Sequence, residues 1–512
     1  MARDGHGQSV GAGPCAAAPR APLVLTPAWG PRGPKPALRF AGAAPTSLPG
    51  GAEAPLALLP LRHFAAFRAD FARRQSGATP ARGGRPALGA QWAVGSRQTS
   101  FNERAPQREL GLEAARECVL ARVAEHVAAD GAALRRGRAE QPLGRVLAAA
   151  VVADRDYPPF RRALRDGYAV RAADCAAAGA VLRLLGTVPA GQESALVVEP
   201  GTCAAIMTGA PVPAGADAVA MVERSERRGA GVVLAAAVRA GEHIAAVGSD
   251  LRQGAVIAAA GRRLDPAALA ALASVGCARP ELYLPSRVAL LSTGDELVEA
   301  NETPGGAQIR DANGPGLAAL ALRAGAEVVR QERVRDDAGA LGASLDRGLA
   351  DCDLWVCSGG ASVGAFDLVA PMLAARGAEF YFDAVRMRPG RPVLFGKVAG
   401  RLFFGLPGNP LGTMLAFELL VRPALELLGG VAEVAPPFVG ARLGYDYRGP
   451  ALGLTVFRPA RRAARGLETV LEEIPYHGSA DLAAAAAADC FWRVPEGTTE
   501  VAAGSAVQMV LK

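Results

Sequence analysis

Between residues 286 and 430 short apolar runs alternate with amphipathic stretches, and this alternation constrains the fold more than any other feature of the chain. β-strands are expected at Val288–Ser292, Val328–Glu332, Leu354–Ser358, Glu379–Phe382, Val393–Phe395 and Leu402–Phe404. Helices fit between Pro315 and Ala324, Asp337 and Leu349, Asp367 and Arg376, and Pro410 and Leu428. Strands that recur between helices of this length pack as a doubly wound, largely parallel sheet with helices on both faces.

The rest of the 512 residues exceeds what one core accommodates, so further domains are expected. Helical spacing runs from Leu112 to Ala128. A loop dense in special residues follows, with Asp156-Tyr-Pro-Pro-Phe160 and then Arg165-Asp166-Gly167-Tyr168. Short β-like runs broken by Gly and Pro (Val181–Leu185, Ala218–Val222, Gly231–Ala235) imply a small β-rich module. Asp265 reads as the N-cap of a helix with Pro266 at its first position. The last 80 residues return to strands and turns (Thr455–Phe457, Thr469–Glu473, Phe491–Val494, Ala506–Leu511), the pattern of a small barrel.

The net charge of +7 suggests nucleic acid until it is located. Residues 1–100 hold 12 basic and 3 acidic side chains, a surplus of +9; the remaining 44 basic and 46 acidic give −2. The basicity belongs to an Ala-, Gly-, Pro- and Arg-rich segment, and the remainder has no polyelectrolyte footprint for DNA or RNA. That segment reads as a low-complexity, disordered extension, although the Arg-rich, acid-poor patch Leu61–Arg74 is also compatible with organelle targeting. No run approaches the roughly 18–20 apolar residues that span a bilayer. Eight cysteines, scattered without CxxC pairs, read as small buried hydrophobes in a reducing compartment. A soluble, cytoplasmic protein is expected, without membrane or nucleic-acid partners.

In an open α/β sheet ligands bind at the carboxyl ends of the strands, and three loops qualify. The first strand runs into Ser292-Thr-Gly-Asp-Glu296, which sets two carboxylates beside a flexible glycine. The third runs into Ser358-Gly-Gly-Ala-Ser-Val-Gly364 and then Asp367. The last runs into Leu406-Pro-Gly-Asn-Pro410 before a long helix. Gly-rich turns let backbone N–H groups approach phosphate, and adjacent carboxylates bring in a hard cation such as Mg²⁺. Arg386-Met-Arg388-Pro-Gly-Arg391-Pro392 adds three cations suited to phosphate or another oxyanion. A competing reading exists, because Gly360-Ala-Ser362-Val-Gly364 matches the nucleophile elbow of α/β-hydrolases. Here, however, the strand is expected to end four residues before the serine, and the only later histidine is His477, beyond the sheet.

Taken in order, Pro159-Phe160, Asp166-Gly-Tyr-Ala-Val170, Ile206-Met-Thr-Gly-Ala-Pro-Val-Pro213, Gly215-Ala-Asp-Ala-Val219, Gly248-Ser-Asp250, Ser292–Leu297, Ser358–Gly364 and Leu406–Pro410 resemble the MoeA-type molybdopterin molybdenumtransferases over residues 106–512. The resemblance implies a four-domain homodimer. Its elongated domain would be formed by 106–153 with 241–285, its small β-rich domain by 154–240, its MogA/MoaB-like molybdopterin-binding domain by 286–430, and its C-terminal barrel by 431–512. It implies an enzyme that takes molybdate and adenylylated molybdopterin as substrates and, with Mg²⁺, releases AMP and molybdenum cofactor. Site residues follow by position. Ser358, Gly359, Gly360, Ser362, Gly364, Pro407, Gly408, Asn409 and Pro410, with Arg388 and Arg391, match the pterin-phosphate and oxyanion contacts. Glu296 and Asp367 match the Mg²⁺-binding acids. Asp166, Thr208 and Asp250 match loops that complete the cleft of the other subunit. The upstream adenylyltransferase and molybdoenzyme chaperones are the implied protein partners, and the residues do not separate molybdate from tungstate. A pterin-binding scaffold of the same fold without turnover is the alternative. Two departures stand out: Arg161-Arg-Ala-Leu-Arg165 where relatives often carry Asp-Asn-Ser-Ala-Met, and arginines at 388 and 391 in place of lysines.

Overall fold

The computed structural model describes residues 108–129, 134–139, 141–360 and 368–512. The extension, the Leu61–Arg74 patch and residues 361–367 lie outside the described residues. A two-residue strand β1 (Glu109–Leu110) leads into helix α1 (Leu112–Ala129), whose Leu112, Ala115, Val119 and Val123 are buried. The small β-rich module comprises β2 (Gly167–Val170), β3 (Val181–Val188), β4 (Thr202–Ile206), β5 (Ala218–Met221), β6 (Ser225–Arg228) and β7 (Gly231–Leu234). These form one mixed sheet in the order β6-β7-β3-β4-β2-β5, with only β3 and β4 parallel. Strand β6 (Ser-Glu-Arg-Arg) carries no apolar signal because it is a solvent-facing edge.

The chain segments flanking this module pair with each other. Val151–Val152 pairs with Val256–Ala258, and Leu282–Tyr283 pairs with both Arg136–Gly137 and Val146–Leu147. Leu147, Ala258, Leu264, Leu272 and Leu282 form their common core. Helix α2 (Pro266–Ser274) packs there and begins as expected, with Asp265 accepting the Ala268 N–H at 2.6 Å and Pro266 in the first turn.

The central domain contains β8 (Arg287–Thr293), α3 (Asn313–Arg323), β9 (Glu327–Val334), α4 (Ala338–Asp351), β10 (Leu354–Ser358), α5 (Val369–Ala375), β11 (Glu379–Phe382), β12 (Ala384–Val385), β13 (Met387–Arg388), β14 (Leu394–Val398), β15 (Arg401–Leu406), α6 (Pro410–Ala416) and α7 (Arg422–Leu428). The sheet order is β9-β8-β10-β15-β14-β11, parallel through the first four and antiparallel at the last two. Successive side chains of β8 go to opposite cores. Val288 and Leu290 pack with α1, α3, α6 and α7, while Ala289 and Leu291 pack with α4 and α5. Continuous apolar strands are what a sheet covered on both faces demands. The single helix expected from Pro410 to Leu428 is instead two, joined by a π turn at Phe417–Val421. Pro423 has no N–H to give to the turn before it, and the wider turn absorbs that loss.

The C-terminal strands β16 (Phe438–Leu443), β17 (Thr455–Arg465), β18 (Glu468–Glu473), β19 (Cys490–Val494) and β20 (Ala506–Leu511) close into a five-stranded barrel in the cyclic order β17-β18-β16-β20-β19. Strand β13 pairs with β17 and ties the barrel to the sheet domain. Phe457, Phe491 and Val510 extend the sheet-domain core into it.

Candidate functional site

Strands β8 and β10 are neighbours, yet the chain leaves β8 for β9 on one side and β10 for β11 on the other. Their carboxyl ends therefore border a crevice at the topological switch point. Ser292 and Ser358 face each other in register there. Both hydroxyls are buried and have no hydrogen-bond partner among the described residues, and leaving a buried donor unpaired costs about 1–3 kcal/mol. Gly359 and Gly360 follow at φ +89° and +60°. A Cβ on Gly359 would lie 2.3 Å from the Thr293 carbonyl oxygen, so only glycine lets these two loops close on each other. The Gly359 N–H donates to the Leu406 carbonyl at 3.2 Å, which brings in the third loop.

In the first loop Thr293 donates to Asp336 at 2.6 Å, and Asp295 pairs with Arg335 at 3.0 Å. Glu296 differs: its carboxylate folds back over Gly294, and no cation pairs with it among the described residues. The third loop is held from both sides. Asn313, at the start of α3, donates to the Gly408 carbonyl at 2.7 Å, and Thr413 of α6 donates to the Pro407 carbonyl at 2.5 Å. Asn409 donates to the Ser479 hydroxyl at 2.9 Å, so the barrel side of the molecule reaches this loop.

The basic turn packs on the first turn of α6 through two glycines. A Cβ on Gly412 would come within 3.1 Å of the Gly390 Cα, and one on Gly390 within 3.1 Å of the Gly412 carbonyl oxygen. Arg388 is exposed. Burial lifts the Tyr476 phenol above its ordinary range, opposed by the positive fields of Arg388 and Arg458. Arg458 also lies 5.7 Å over the Tyr476 ring. Arg391 is already engaged, as its Nε and Nη2 donate to Glu109 at 2.8 and 3.3 Å. Sequence reasoning missed Glu109, Arg458, Tyr476 and Ser479. The one local signal was Gly478-Ser479 just before Asp481, which caps a short helix by accepting the Ala484 N–H.

The remaining expected residues lie on the β-rich module (Asp166, Thr208) and on the segment that leaves it (Asp250). Asp166 and Thr208 are brought together: the Thr208 N–H donates to Asp166 at 2.7 Å, and this bond, with a further one from the Thr208 side chain, holds the exposed carboxyl below the usual range. Asp250 accepts from Arg162 at 3.1 Å and from Ser249 at 3.0 Å. The Arg162–Ala163 strand sits between these two acids, pairing with Ile244–Ala245 while Ala163 bonds Ala210. Among the described residues, no hydrogen bond or ion pair joins these loops to the sheet crevice.

Ser362, Gly364 and Asp367 lie outside the described residues. Strand β10 ends at Ser358, short of the elbow-like serine, and His477 is hydrogen-bonded to Asp481 at 3.2 Å. Among the described residues no group of three or more His, Cys, Asp or Glu is placed to hold a metal ion, and no helix is long and apolar enough to cross a membrane. The seven described cysteines are free thiols, and burial pushes Cys352 and Cys490 up to about 12.

Comparison with known proteins gives three collinear family matches. Residues 110–276 match the MoeA N-terminal region (domains I and II), 289–427 the probable molybdopterin binding domain, and 448–512 the MoeA C-terminal region (domain IV). A molybdopterin molybdenumtransferase of Nostoc is 32% identical over 372 residues, covering 71% of this chain and 85% of the relative. Molybdopterin molybdenumtransferase 2 of Mycobacterium tuberculosis is 35% identical over 378 residues, covering 72% and 93%. Two crystal structures of a molybdopterin biosynthesis MoeA protein from Pyrococcus horikoshii superpose with TM-scores of 0.62 and 0.66, at 30% and 26% identity. Each covers 79% of this chain, and 99% and 100% of the solved one.

Proposed function

The chain belongs to the molybdopterin molybdenumtransferase family and is a transferase of molybdenum cofactor biosynthesis, and from that premise we propose that it inserts molybdate into adenylylated molybdopterin with Mg²⁺-dependent release of AMP. The observation that carries this reading is the convergence of three loops at the switch point, where a left-handed glycine pair meets two buried hydroxyls that have no hydrogen-bond partner among the described residues. Hydroxyls and glycine-rich backbone are suited to phosphate oxygens. In this reading Ser358, Gly359 and Gly360, with Ser362 and Gly364, hold the pterin phosphate together with the Pro407–Pro410 loop. Arg388 and Arg391 take the charge of the oxyanion or the phosphate.

Glu296 suits a hard cation, since its carboxylate lies over the Gly294 turn and pairs with no cation among the described residues; Asp367 is its proposed co-ligand. When bound there, Mg²⁺ offsets the charge of the phosphoanhydride and polarises the bond that breaks. Each Asp250 oxygen accepts a hydrogen bond, from Arg162 and from Ser249, so in this reading Asp250 orients Arg162. Asp166, Thr208 and Asp250 act from the second subunit of a homodimer. Among the described residues no hydrogen bond or ion pair joins them to the crevice of their own chain, which favours that arrangement. The setting is cytoplasmic, with the adenylyltransferase as the source of substrate and molybdoenzyme chaperones as receivers of product.

The test is incubation of the purified chain with adenylylated molybdopterin, Mg²⁺ and molybdate while AMP is followed. Stoichiometric AMP release is expected. Glu296→Gln is expected to slow release on the order of 10²-fold while nucleotide-pterin binding stays intact, because the lost interaction matters mainly in the transition state. Tight binding without AMP release in the unmodified chain would overturn the reading in favour of a scaffold.

A further inference from the structure

Arg391 belongs to the basic turn, yet its fork is closed by a carboxylate from the far end of the described chain. Glu109 lies 282 residues upstream, and its two oxygens accept from Nε at 2.8 Å and Nη2 at 3.3 Å. The approach is fixed by the backbone. β1 runs parallel to β12, with Glu109 opposite Ala384 and Leu110 opposite Val385. The Arg386 N–H donates to the Leu110 carbonyl at 2.8 Å, and the Asp383 N–H to the Arg108 carbonyl at 3.2 Å. The same strand anchors the arginine, because the Val385 N–H donates to the Arg391 carbonyl at 2.8 Å. Both partners are thus pinned to one two-residue strand. The Glu109 side chain is 28% exposed and that of Arg391 60%, so the guanidinium is open to solvent on the side that Glu109 leaves uncovered.

A guanidinium fork receives a carboxylate and a tetrahedral oxyanion in the same bidentate geometry, through the same pair of N–H donors. It cannot serve both at once through those donors. We propose that Glu109 is a specificity-determining residue that occupies the Arg391 fork in the ligand-free enzyme and must be displaced by an incoming tetrahedral oxyanion. The inference rests on the reading of the basic turn as an anion site. Its chemical consequence is a threshold. A ligand carrying two negative charges on adjacent oxygens replaces both hydrogen bonds of Glu109, whereas a weakly charged or single-oxygen ligand replaces one and is disfavoured. Because the guanidinium is 60% exposed, the threshold is modest, about two- to fivefold in affinity.

The experiment is equilibrium titration of the full-length chain by calorimetry with sodium molybdate and, separately, with AMP, for four proteins: unmodified, Glu109→Gln, Arg391→Gln and the double variant. Glu109→Gln is expected to tighten binding of at least one anion about two- to fivefold, and the anion that responds identifies whether Arg391 serves free oxyanion or nucleotide phosphate. On the Arg391→Gln background the same change is expected to have no effect. Unchanged or weaker binding in Glu109→Gln would overturn the proposal, the latter by making Glu109 a support for Arg391. Tightening that persists in the double variant would overturn it too, since the effect would then be the general field of one carboxylate. If Arg391→Gln alone leaves both titrations unchanged, the fault lies instead in the anion-site reading of the basic turn. Should the amide loosen β1, Glu109→Asp keeps the charge but withdraws it by one methylene, and tightening in the same direction is expected.

Discussion

Arg162 and Asp250 form an ion pair across the loops of the β-rich module, with Nη2 3.1 Å from Oδ2. The arginine belongs to the Arg161–Arg165 stretch that stands out in the sequence. Its guanidinium also lies 5.8 Å over the Tyr157 ring. The pair offsets a negative charge in a loop that, in the proposed reading, faces an anionic substrate.

Arg162→Ser leaves the Asp250 carboxylate uncompensated. With side chains 25% and 45% exposed, the pair stabilises the fold by no more than about 1 kcal/mol, so the melting temperature is expected to change little. The KM for molybdate is expected to rise a few fold. Added salt should narrow the gap between variant and parent, because screening weakens the exposed field. Steady-state kinetics at two ionic strengths, beside a thermal melt, check this. An unchanged KM with a large drop in melting temperature would make Arg162 purely structural.

Acid stability depends on Glu332 on β9. Arg347 donates to both of its oxygens at 3.2 and 2.7 Å, and Arg330 adds a third bond at 3.1 Å. Arg347 first, with Ser344 and Arg330 and against the cost of burial, holds this carboxyl down at about 2, compared with an ordinary 4.5. A depressed carboxylate stabilises the folded state above its unfolded pKa, and that contribution is lost as pH falls through the folded value. With Arg347 half exposed, the gain is discounted to about 1–2 kcal/mol. Glu332→Gln is therefore expected to melt lower than the parent at pH 7 and by a similar margin at pH 5.5. The difference should shrink as pH drops from about 4.5 toward 2. Paired melts across that range test it, and a gap that stays constant into acid would contradict the assignment.

The features legible in the sequence are those that local chemistry determines. Asp265 caps its helix as expected, accepting from Ala268 at 2.6 Å, and Asp337, expected only at the start of its helix, caps it too, accepting from Ala340 at 2.7 Å; a cap needs only its next three residues. The end of β10 at Ser358 was legible because Gly359-Gly360 cannot continue a strand in the conformation they adopt. The extension of β17 to Arg465 was not: Arg458, Arg461, Arg462 and Arg465 disguise it, and only the hairpin with β18 keeps it extended. Strand β16 carries Gly440 and Arg442 with little burial and is defined by its partners in the barrel. The site divides in the same way. Loops at strand ends could be read off periodicity, but the contacts of Glu109 with Arg391 and of Ser479 with Asn409 span 282 and 70 residues, and no local pattern records them. Thr208 and Asp166, 42 residues apart, were paired only through family resemblance.

The placement of Asp166 and Glu296 yields the sharpest test of the proposed assembly. Within one chain Asp166 is bonded to Thr208 and Asp250 to Arg162, on a module with no hydrogen bond or ion pair to the β8–β10 crevice among the described residues. If each cleft combines the crevice of one subunit with the Asp166 loop of the other, two differently damaged chains complement each other. Asp166→Ala and Glu296→Gln homodimers are each expected to release AMP slowly. Mixed and allowed to exchange subunits, they form heterodimers in which one cleft carries both defects and the other carries neither. With random exchange about half the dimers are mixed and half of their clefts are intact, so recovery of roughly a quarter of the unmodified rate is expected, a population estimate from subunit statistics. Native mass spectrometry establishes the exchange, and AMP release measures the recovery. Heterodimers that form in that proportion yet stay as slow as their parents would place both acids in the same subunit's chemistry and sink the shared cleft.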